Sequence, residues 1–245
     1  MYEKELKVMM EAALKAEEWI LSVRAEGFSV EIKSDDSPVT KADKGADELI
    51  RKTIHEAFPD FGFLTEESRD DLGRLNKRDV IIVDPLDGTK GFVEGKDDFA
   101  TLIALCHDHK IVVGVVNIPA QHRMYYAVRG QGAYRILPGK APERIHVNDK
   151  TDGLRVLISR HFHNAKEDEA IKRHKAKFAS VESMGAALKF CAIAEGEAEL
   201  SYRYSGGTKE WDTAAPSIVL EEAGGIMRKP DGTEYRYNRE ENLLF

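Results

Sequence analysis

Val80-Ile81-Ile82-Val83-Asp84-Pro85-Leu86-Asp87-Gly88-Thr89-Lys90-Gly91-Phe92 is the stretch on which the reading of this chain turns. Its first four residues are apolar and β-branched, which predicts a buried strand that ends at Pro85. Asp84 and Asp87 then stand three apart in a turn that Pro85 stiffens and Gly88 lets fold tightly, so their oxygens can point at one place. Like charges so close raise each other's pKa or demand a cation, and hard divalent ions such as Mg²⁺ take oxygen ligands of this kind. The backbone N–H groups from Gly88 to Lys90 are offered to an anion. Read by itself, the stretch is equally an ordinary strand-ending turn rich in Asp and Gly.

The 245 residues are enough for one large domain or for two lobes sharing a cleft. A hydrophobic content of 42% with 32% charged residues is that of an ordinary globular chain. The formal charge of −7 argues against a nucleic-acid binder held by its phosphates, although an acidic protein can still bind a small phosphate through metals. Cys106 and Cys191 sit in apolar runs and read as buried thiols in a reducing compartment. The N-terminus has no apolar core of signal-peptide length and no later stretch is long enough to span a bilayer, so the expectation is a cytoplasmic protein.

Upstream of the central stretch, Met9, Ala13, Ala16, Ile20 and Val23 recur at steps of four and three, one face of a helix over 2–26 that Gly27 ends. After a loop at Ser34-Asp35-Asp36-Ser37-Pro38, Val39-Thr40-Lys41-Ala42-Asp43 opens a second helix with Ala46, Ile50, Ile54 and Phe58 inward, stopped by Pro59. Thr40 and Asp43 have capping-box spacing, so Asp43 is read first as a residue that satisfies the helix start. Phe61-Gly62-Phe63-Leu64 predicts a strand leading into Thr65-Glu66-Glu67-Ser68, and 69–79 a charged connection. Downstream, Ala100–Cys106, Ile111–Val116, Met124–Val128 and Ala133–Ile136 predict antiparallel strands, the first pair a hairpin around His107-Asp108-His109-Lys110 that faces water.

From Leu154 the pattern alternates: strand 154–159, helix 165–174, strand 178–181, helix 186–194, strand 199–204, helix 213–223 closed by Gly224-Gly225, and a last strand at Ile226–Arg228 before Pro230-Asp231-Gly232. This is α/β texture, and Asn148–Gly153 is the expected boundary between an α+β lobe, 1–150, and an α/β lobe, 151–245. Asp212, just ahead of the last helical run, is well placed as an N-cap. That does not explain why acids also stand at Glu66, Asp84 and Asp87, at the ends of strand-like segments.

Val39-Thr40-Lys41-Ala42-Asp43, Thr65-Glu66-Glu67-Ser68, Asp84-Pro85-Leu86-Asp87-Gly88-Thr89, Trp211-Asp212-Thr213-Ala214-Ala215 and Glu222-Ala223-Gly224-Gly225, in this order, resemble the inositol monophosphatase superfamily of Mg²⁺-dependent, lithium-sensitive phosphatases. The resemblance covers most of the chain. It implies a layered αβαβα sandwich of the sugar-phosphatase type, α+β with an antiparallel-sheet N-terminal lobe and a mixed-sheet α/β C-terminal lobe, and a cleft between the lobes. It implies that Glu66, Asp84, Asp87 and Asp212, with the Leu86 carbonyl, bind two or three Mg²⁺ ions. Thr89, supported by Asp43 and Glu66, would orient and deprotonate the attacking water. Relatives often dimerise, so a homodimer is a further expectation.

Within the superfamily the chain is most similar to the 3′(2′),5′-bisphosphate nucleotidases, which act on 3′-phosphoadenosine 5′-phosphate. Lys90 after Thr89 follows their version of the motif, Leu188–Gly196 looks like their helix bearing a substrate-facing Lys at Lys189, and Arg203 falls where they place an Arg near the second phosphate. The substrate-binding set implied is thus Asp87, Gly88, Thr89, Lys90, His161, Lys189, Arg203 and Asp212. Two departures stand out. The usual Ser-x-Ser-His is Ser159-Arg160-His161-Phe162-His163 here, with Phe162 at the His position, and Ala186-Ala187 replace a frequent Ser. An inositol or histidinol phosphatase on the same fold is the alternative. A haloacid-dehalogenase-type phosphatase is disfavoured, because its acids stand two apart rather than three. A catalytically dead module is disfavoured because all four acids and Thr89 are present.

Overall fold

The structure is a computed structural model that describes residues 1–34, 36–204, 207–229 and 231–241. Asp35 and Pro230 of the expected loops therefore lie outside the described residues. The first half runs α1 (Glu3–Glu26), β1 (Val30–Ile32), β2 (Pro38–Thr40), α2 (Lys41–Ala57), β3 (Gly62–Thr65), β4 (Asp79–Asp87), α3 (Thr89–Val93), β5 (Ala100–His107), β6 (Lys110–Ile118), β7 (Arg123–Val128), β8 (Gly132–Ile136) and β9 (Glu143–Ile145). The second runs β10 (Leu154–Ser159), α4 (Ala165–His174), β11 (Phe178–Met184), α5 (Leu188–Ala194), β12 (Leu200–Ser201) and α6 (Glu210–Glu222).

A seven-stranded sheet in the order β3-β4-β5-β6-β7-β8-β9 is antiparallel except for its parallel β3/β4 pair. Its central strands are apolar at nearly every position because both faces are covered. On β4, Val80 and Ile82 face one core cluster and Ile81 and Val83 the other; on β5, Leu102 and Ala104 oppose Ile103 and Leu105 in the same way. One face carries α1 and α2, through Met9, Ala13, Ala16, Ile20, Ile50 and Ile54. The opposite face carries α6 and α5, through Ala214, Ala215, Ile218 and Cys191. Beyond them lies a three-stranded sheet, β11-β10-β12, whose described pairs are all parallel, and α4 follows β10. The molecule is thus the layered αβαβα sandwich, and α6, from the second half of the chain, completes the core of the first. No helix among the described residues is long and apolar enough to cross a membrane.

Close approach of α6 to the large sheet depends on Gly114. A Cβ there would lie 2.4 Å from Ile218 Cγ2 and 2.8 Å from the Ala215 carbonyl. Small residues on both partners let the helix sit directly on β6, and this seating fixes where the head of α6 projects.

Several boundaries differ from the sequence reading. β4 does not stop at Pro85 but runs to Asp87, with a register shift between Asp84 and Asp87. α6 begins at Glu210, so Asp212 is its third residue and Lys209 the N-cap. The 199–204 strand shrinks to Leu200–Ser201, and among the described residues Ile226–Arg228 forms no strand, with Ile226 77% exposed. α5 starts at Leu188, because Ala186 takes a left-handed φ of 51° that a helix excludes. The 69–79 connection contains a 3-10 turn, Gly73–Asn76, whose Arg74 is buried. The hairpin before β6 turns through Asp108 and His109, both at positive φ, as a two-residue connection requires.

Gly114→Ala should lower stability by about 1–3 kcal/mol through overpacking against Ile218 and Ala215. Denaturant melts would check this, and an unchanged midpoint would show that α6 is not seated through this contact.

Candidate active site

Asp84 and Asp87 owe their common direction to a β-bulge. Residues three apart on a regular strand face opposite sides of the sheet. Here Asp84 pairs with Leu102 and Asp87 with Ala100, so three steps on β4 match two on β5 and the extra residue returns Asp87 to the side of Asp84. Pro85, which has no N–H to give the ladder, sits in that irregularity, and its carbonyl accepts from Thr101 Oγ1 at 2.9 Å. Leu102 and Ala100 belong to the α6-facing core, so both carboxylates face α6. Glu66 joins them from the end of β3, its N–H donating to the Val83 carbonyl at 3.2 Å. Asp212 arrives from the head of α6, where its Oδ2 accepts from the Lys209 N–H at 2.7 Å.

These four acids line one hollow of about 1120 Å³, together with Lys33, Leu86, Gly88, Thr89, Lys90, His161, Lys189 and Arg203. Burial raises the Asp84 carboxyl well above its ordinary range, and Glu66, Asp87 and Asp212 raise it further. Asp212 is pushed up to about 7, by burial first and then by Asp87. Asp87 is pushed up to about 6 by burial, against the pull of Lys189 and the Ala187 N–H, which donates to Asp87 Oδ2 at 2.5 Å. Each of these three aspartates therefore sits where its charged form is penalised.

Asp43 serves two partners with two oxygens. Its Oδ2 accepts from Thr40 N and Thr40 Oγ1, both at 2.7 Å, which is the capping box read from the sequence. Its Oδ1 accepts from Thr89 Oγ1 at 2.9 Å. One side chain thus holds both the helix start and the Thr89 hydroxyl. The Thr89 hydroxyl also lies 3.0 Å from the Leu86 carbonyl, and Gly88 reaches this turn with φ of 92°. A Cβ on Gly88 would meet the Asp98 carbonyl at 2.9 Å and Ala186 Cβ at 3.1 Å, so both space and backbone conformation call for glycine.

The remaining site residues form the opposite wall. Lys189 is buried, its Nζ donating to the Ala186 carbonyl at 2.8 Å, and burial lowers its pKa to about 8. Lys90 Nζ and the Arg203 guanidinium lie 4.7 and 5.5 Å from the ring centre of Phe162, which is half exposed. Phe162 therefore gathers two of the expected phosphate-binding cations on its ring. The His161 Nε2 is buried and has no hydrogen-bond partner among the described residues. Asp98 ties this wall down: its Oδ2 accepts from the Gly185 N–H and from Arg160 Nη2, both at 2.9 Å.

Sequence reasoning missed Asp98, and also Lys33, whose Nζ lies 2.9 Å from Glu66 Oε1 and 2.5 Å from Glu67 Oε1. Burial opposes the charge on Lys33, but the two glutamates outweigh it and raise its pKa. Nothing in Lys33-Ser34-Asp35-Asp36-Ser37 distinguishes this lysine from a solvated loop residue. A lysine drawn onto Glu66, three carboxyls pushed up by one another and by burial, and an all-oxygen donor set are the features of a hard divalent-cation site. Among the described residues no three acids converge on one point as they stand. Glu66, Asp84, Asp87, Asp212 and the Leu86 carbonyl nonetheless share the hollow and fit such an ion in kind and in charge.

Comparison with known proteins places this geometry in context. The model of the inositol monophosphatase family matches residues 1–244. The 3′(2′),5′-bisphosphate nucleotidase CysQ of Salmonella typhimurium is 36% identical over 216 residues, 86% of this chain and 84% of that protein. A histidinol-phosphatase of Mycobacterium tuberculosis is 32% identical over 207 residues, 83% of this chain and 78% of that protein. The crystal structure of CysQ from Bacteroides thetaiotaomicron superposes with a TM-score of 0.86 at 32% identity, covering 99% of this chain and 95% of that one.

Asp87 and Asp212 bind their protons more tightly folded than unfolded, so the stability they contribute is complete below about pH 4 and is lost as pH rises through about 6 to 7. Chelator-treated protein should therefore melt several degrees higher at about pH 5 than at about pH 8, and Mg²⁺ should restore the midpoint at the higher pH. A midpoint that rises with pH in the absence of metal would contradict the crowded-carboxylate account.

Proposed function

Because the chain belongs to the inositol monophosphatase family and is a phosphatase of that superfamily, we propose that it is a Mg²⁺-dependent phosphomonoesterase that hydrolyses the 3′-phosphate of 3′-phosphoadenosine 5′-phosphate to AMP and phosphate. The observation that carries the reading is the Thr89–Asp43 pair, which opens onto the hollow of four carboxylates. The choice of a bisphosphate rests on Lys90, Lys189 and Arg203 across that hollow, cations suited to a second phosphate. The likeness to the CysQ nucleotidases supports the same choice.

In this reading Glu66, Asp84, Asp87, Asp212 and the Leu86 carbonyl would hold two or three Mg²⁺ ions, whose charge would take the place of the Lys33 ammonium on Glu66. When bound, the ions supply Lewis acidity toward the phosphate oxygens and the attacking water. Asp43 takes the Thr89 hydroxyl proton in a hydrogen bond, which turns the lone pairs of Thr89 Oγ1 toward the water and fixes its approach. Glu66 assists in drawing off the water's proton. The Gly88 and Thr89 N–H groups, at the head of α3, receive phosphate oxygens. His161 and Lys189 then orient the rest of the substrate. No side chain forms a covalent bond to phosphorus. The cleft lies between an α+β lobe, 1–150, and an α/β lobe, 151–245, and the protein works in the cytoplasm, where the free, buried Cys106 and Cys191 stay reduced.

Phosphate release from the bisphosphate nucleotide, inositol 1-phosphate and histidinol phosphate, each with and without Mg²⁺, tests the proposal. The nucleotide should be turned over best and only with metal; a preference of hundreds-fold for histidinol phosphate would establish the other substrate class. Asp87→Asn should cost at least about a hundredfold in kcat with the fold intact, as should Thr89→Val, whereas Thr89→Ser should retain much of the activity. Full activity in Asp87→Asn would remove that residue from the mechanism.

A further inference from the structure

Behind the hollow, the segment Tyr237–Arg239 is stitched into three distant parts of the chain. The Tyr237 N–H donates to the His109 carbonyl at 3.3 Å, and the Tyr237 carbonyl accepts from His109 Nδ1 at 2.8 Å. The N–H groups of Asn238 and Arg239 donate to the two oxygens of Glu210, at 2.6 and 3.0 Å. Asn238 Oδ1 accepts from Arg74 Nη1 at 2.7 Å, and the Arg239 carbonyl accepts from Arg74 Nη2 at 2.9 Å. Arg74 also forks onto Asp70 Oδ2, at 3.0 Å through Nε and 2.7 Å through Nη2. Arg74, Asn238 and Glu210 are 3%, 3% and 0% exposed.

The ends of this network are what give it meaning. Glu210 opens α6 and lies in the same helical turn as Asp212. Asp70 follows Glu66 by four residues in the chain. Among the described residues a chain of charge-assisted hydrogen bonds thus runs from the head of α6, through Asn238, Arg239 and Arg74, to Asp70 beyond the β3 end. We propose that Arg74 and Asn238 are positioning residues that set the head of α6 against the β3 end, and thereby the spacing of the acids that receive the divalent cation. The inference rests on the metal reading given under Proposed function.

Asn238→Gly keeps the positive φ of 56° that this position holds, and removes the side-chain acceptor for Arg74 Nη1 together with the longer 3.5 Å donation from Asn238 Nδ2 to the Arg74 carbonyl. Arg74→Lys keeps the charge and loses the fork. Mn²⁺ binding to the full chain, followed by calorimetry and electron paramagnetic resonance, gives a readout independent of turnover. Each variant should raise the half-saturating Mn²⁺ concentration by about tenfold, the double variant should be no worse than the poorer single one, and kcat at saturating metal should stay within about twofold. Ala13→Gly, in the buried face of α1, supplies a comparable loss of melting temperature, and its Mn²⁺ binding should stay at the parent value. Arg74 and Asn238 variants that melt earlier yet bind Mn²⁺ like the parent would overturn the positioning role and leave the metal reading standing. A parent that binds no Mn²⁺ would overturn both.

Discussion

One extra residue in a strand, the bulge between Asp84 and Asp87, decides what this molecule can do. Without it the two carboxylates would face opposite layers of the sandwich, one toward α2 and one toward α6. With it they face the same layer, where α6 and the end of β3 can add Asp212 and Glu66. Pro85, with no N–H to give the ladder, suits the unpaired position, and the Thr101 hydroxyl holds its carbonyl. The rest of the architecture serves to bring a helix close enough to use it. Gly114 removes the side chain that would keep α6 away, and the two-sided core makes the sheet rigid beneath.

Concentrating four carboxylates in one partly buried hollow runs against stability. Each unit of pKa elevation reports about 1.4 kcal/mol of discrimination against the charged form. The protein meets this with a borrowed cation, Lys33, on one side and with Lys189, Lys90 and Arg203 on the other. The second wall is held to the first by Asp98 on Gly185 and Asp87 on Ala187, around an Ala186 in a left-handed conformation. Backbone held in that region without glycine is kept there by its surroundings, and here its surroundings are the site's own acids and Lys189.

Much of this was legible in the sequence. The long helices showed through their 3.6-residue periodicity, the hairpin strands through β-branched runs, and the acids through their place at strand ends and through a resemblance spread over most of the chain. What was not legible is non-local. A bulge is a relation between two strands, and the sequence of one of them, with its Pro, suggested termination instead. Asp212 looked like an N-cap because it stands just ahead of a helical run, and its hydrogen bond to the Lys209 N–H does part of a cap's task from the third position. Lys33 and Asp98 carry no local signature, since their partners stand more than thirty residues away, and Arg74 pairs locally with Asp70 but reaches Asn238 only through the fold. The expected strand at Ile226–Arg228 shows the opposite error, a strand-like pattern that finds no pairing neighbour among the described residues.

Asp43 shares its carboxylate between a helix start and the Thr89 hydroxyl, and this limits how the protein can be improved. At the third position of a capping box the residue best suited to reach back is Glu or Gln. Here the longer side chain would carry the second oxygen about one carbon–carbon bond out of register with Thr89. If Asp43 aligns Thr89 as proposed, engineers who optimise helix ends by statistical preference would trade that alignment for thermal resilience at this position, and drift toward a sturdier but slower chain has a ready route in a single codon.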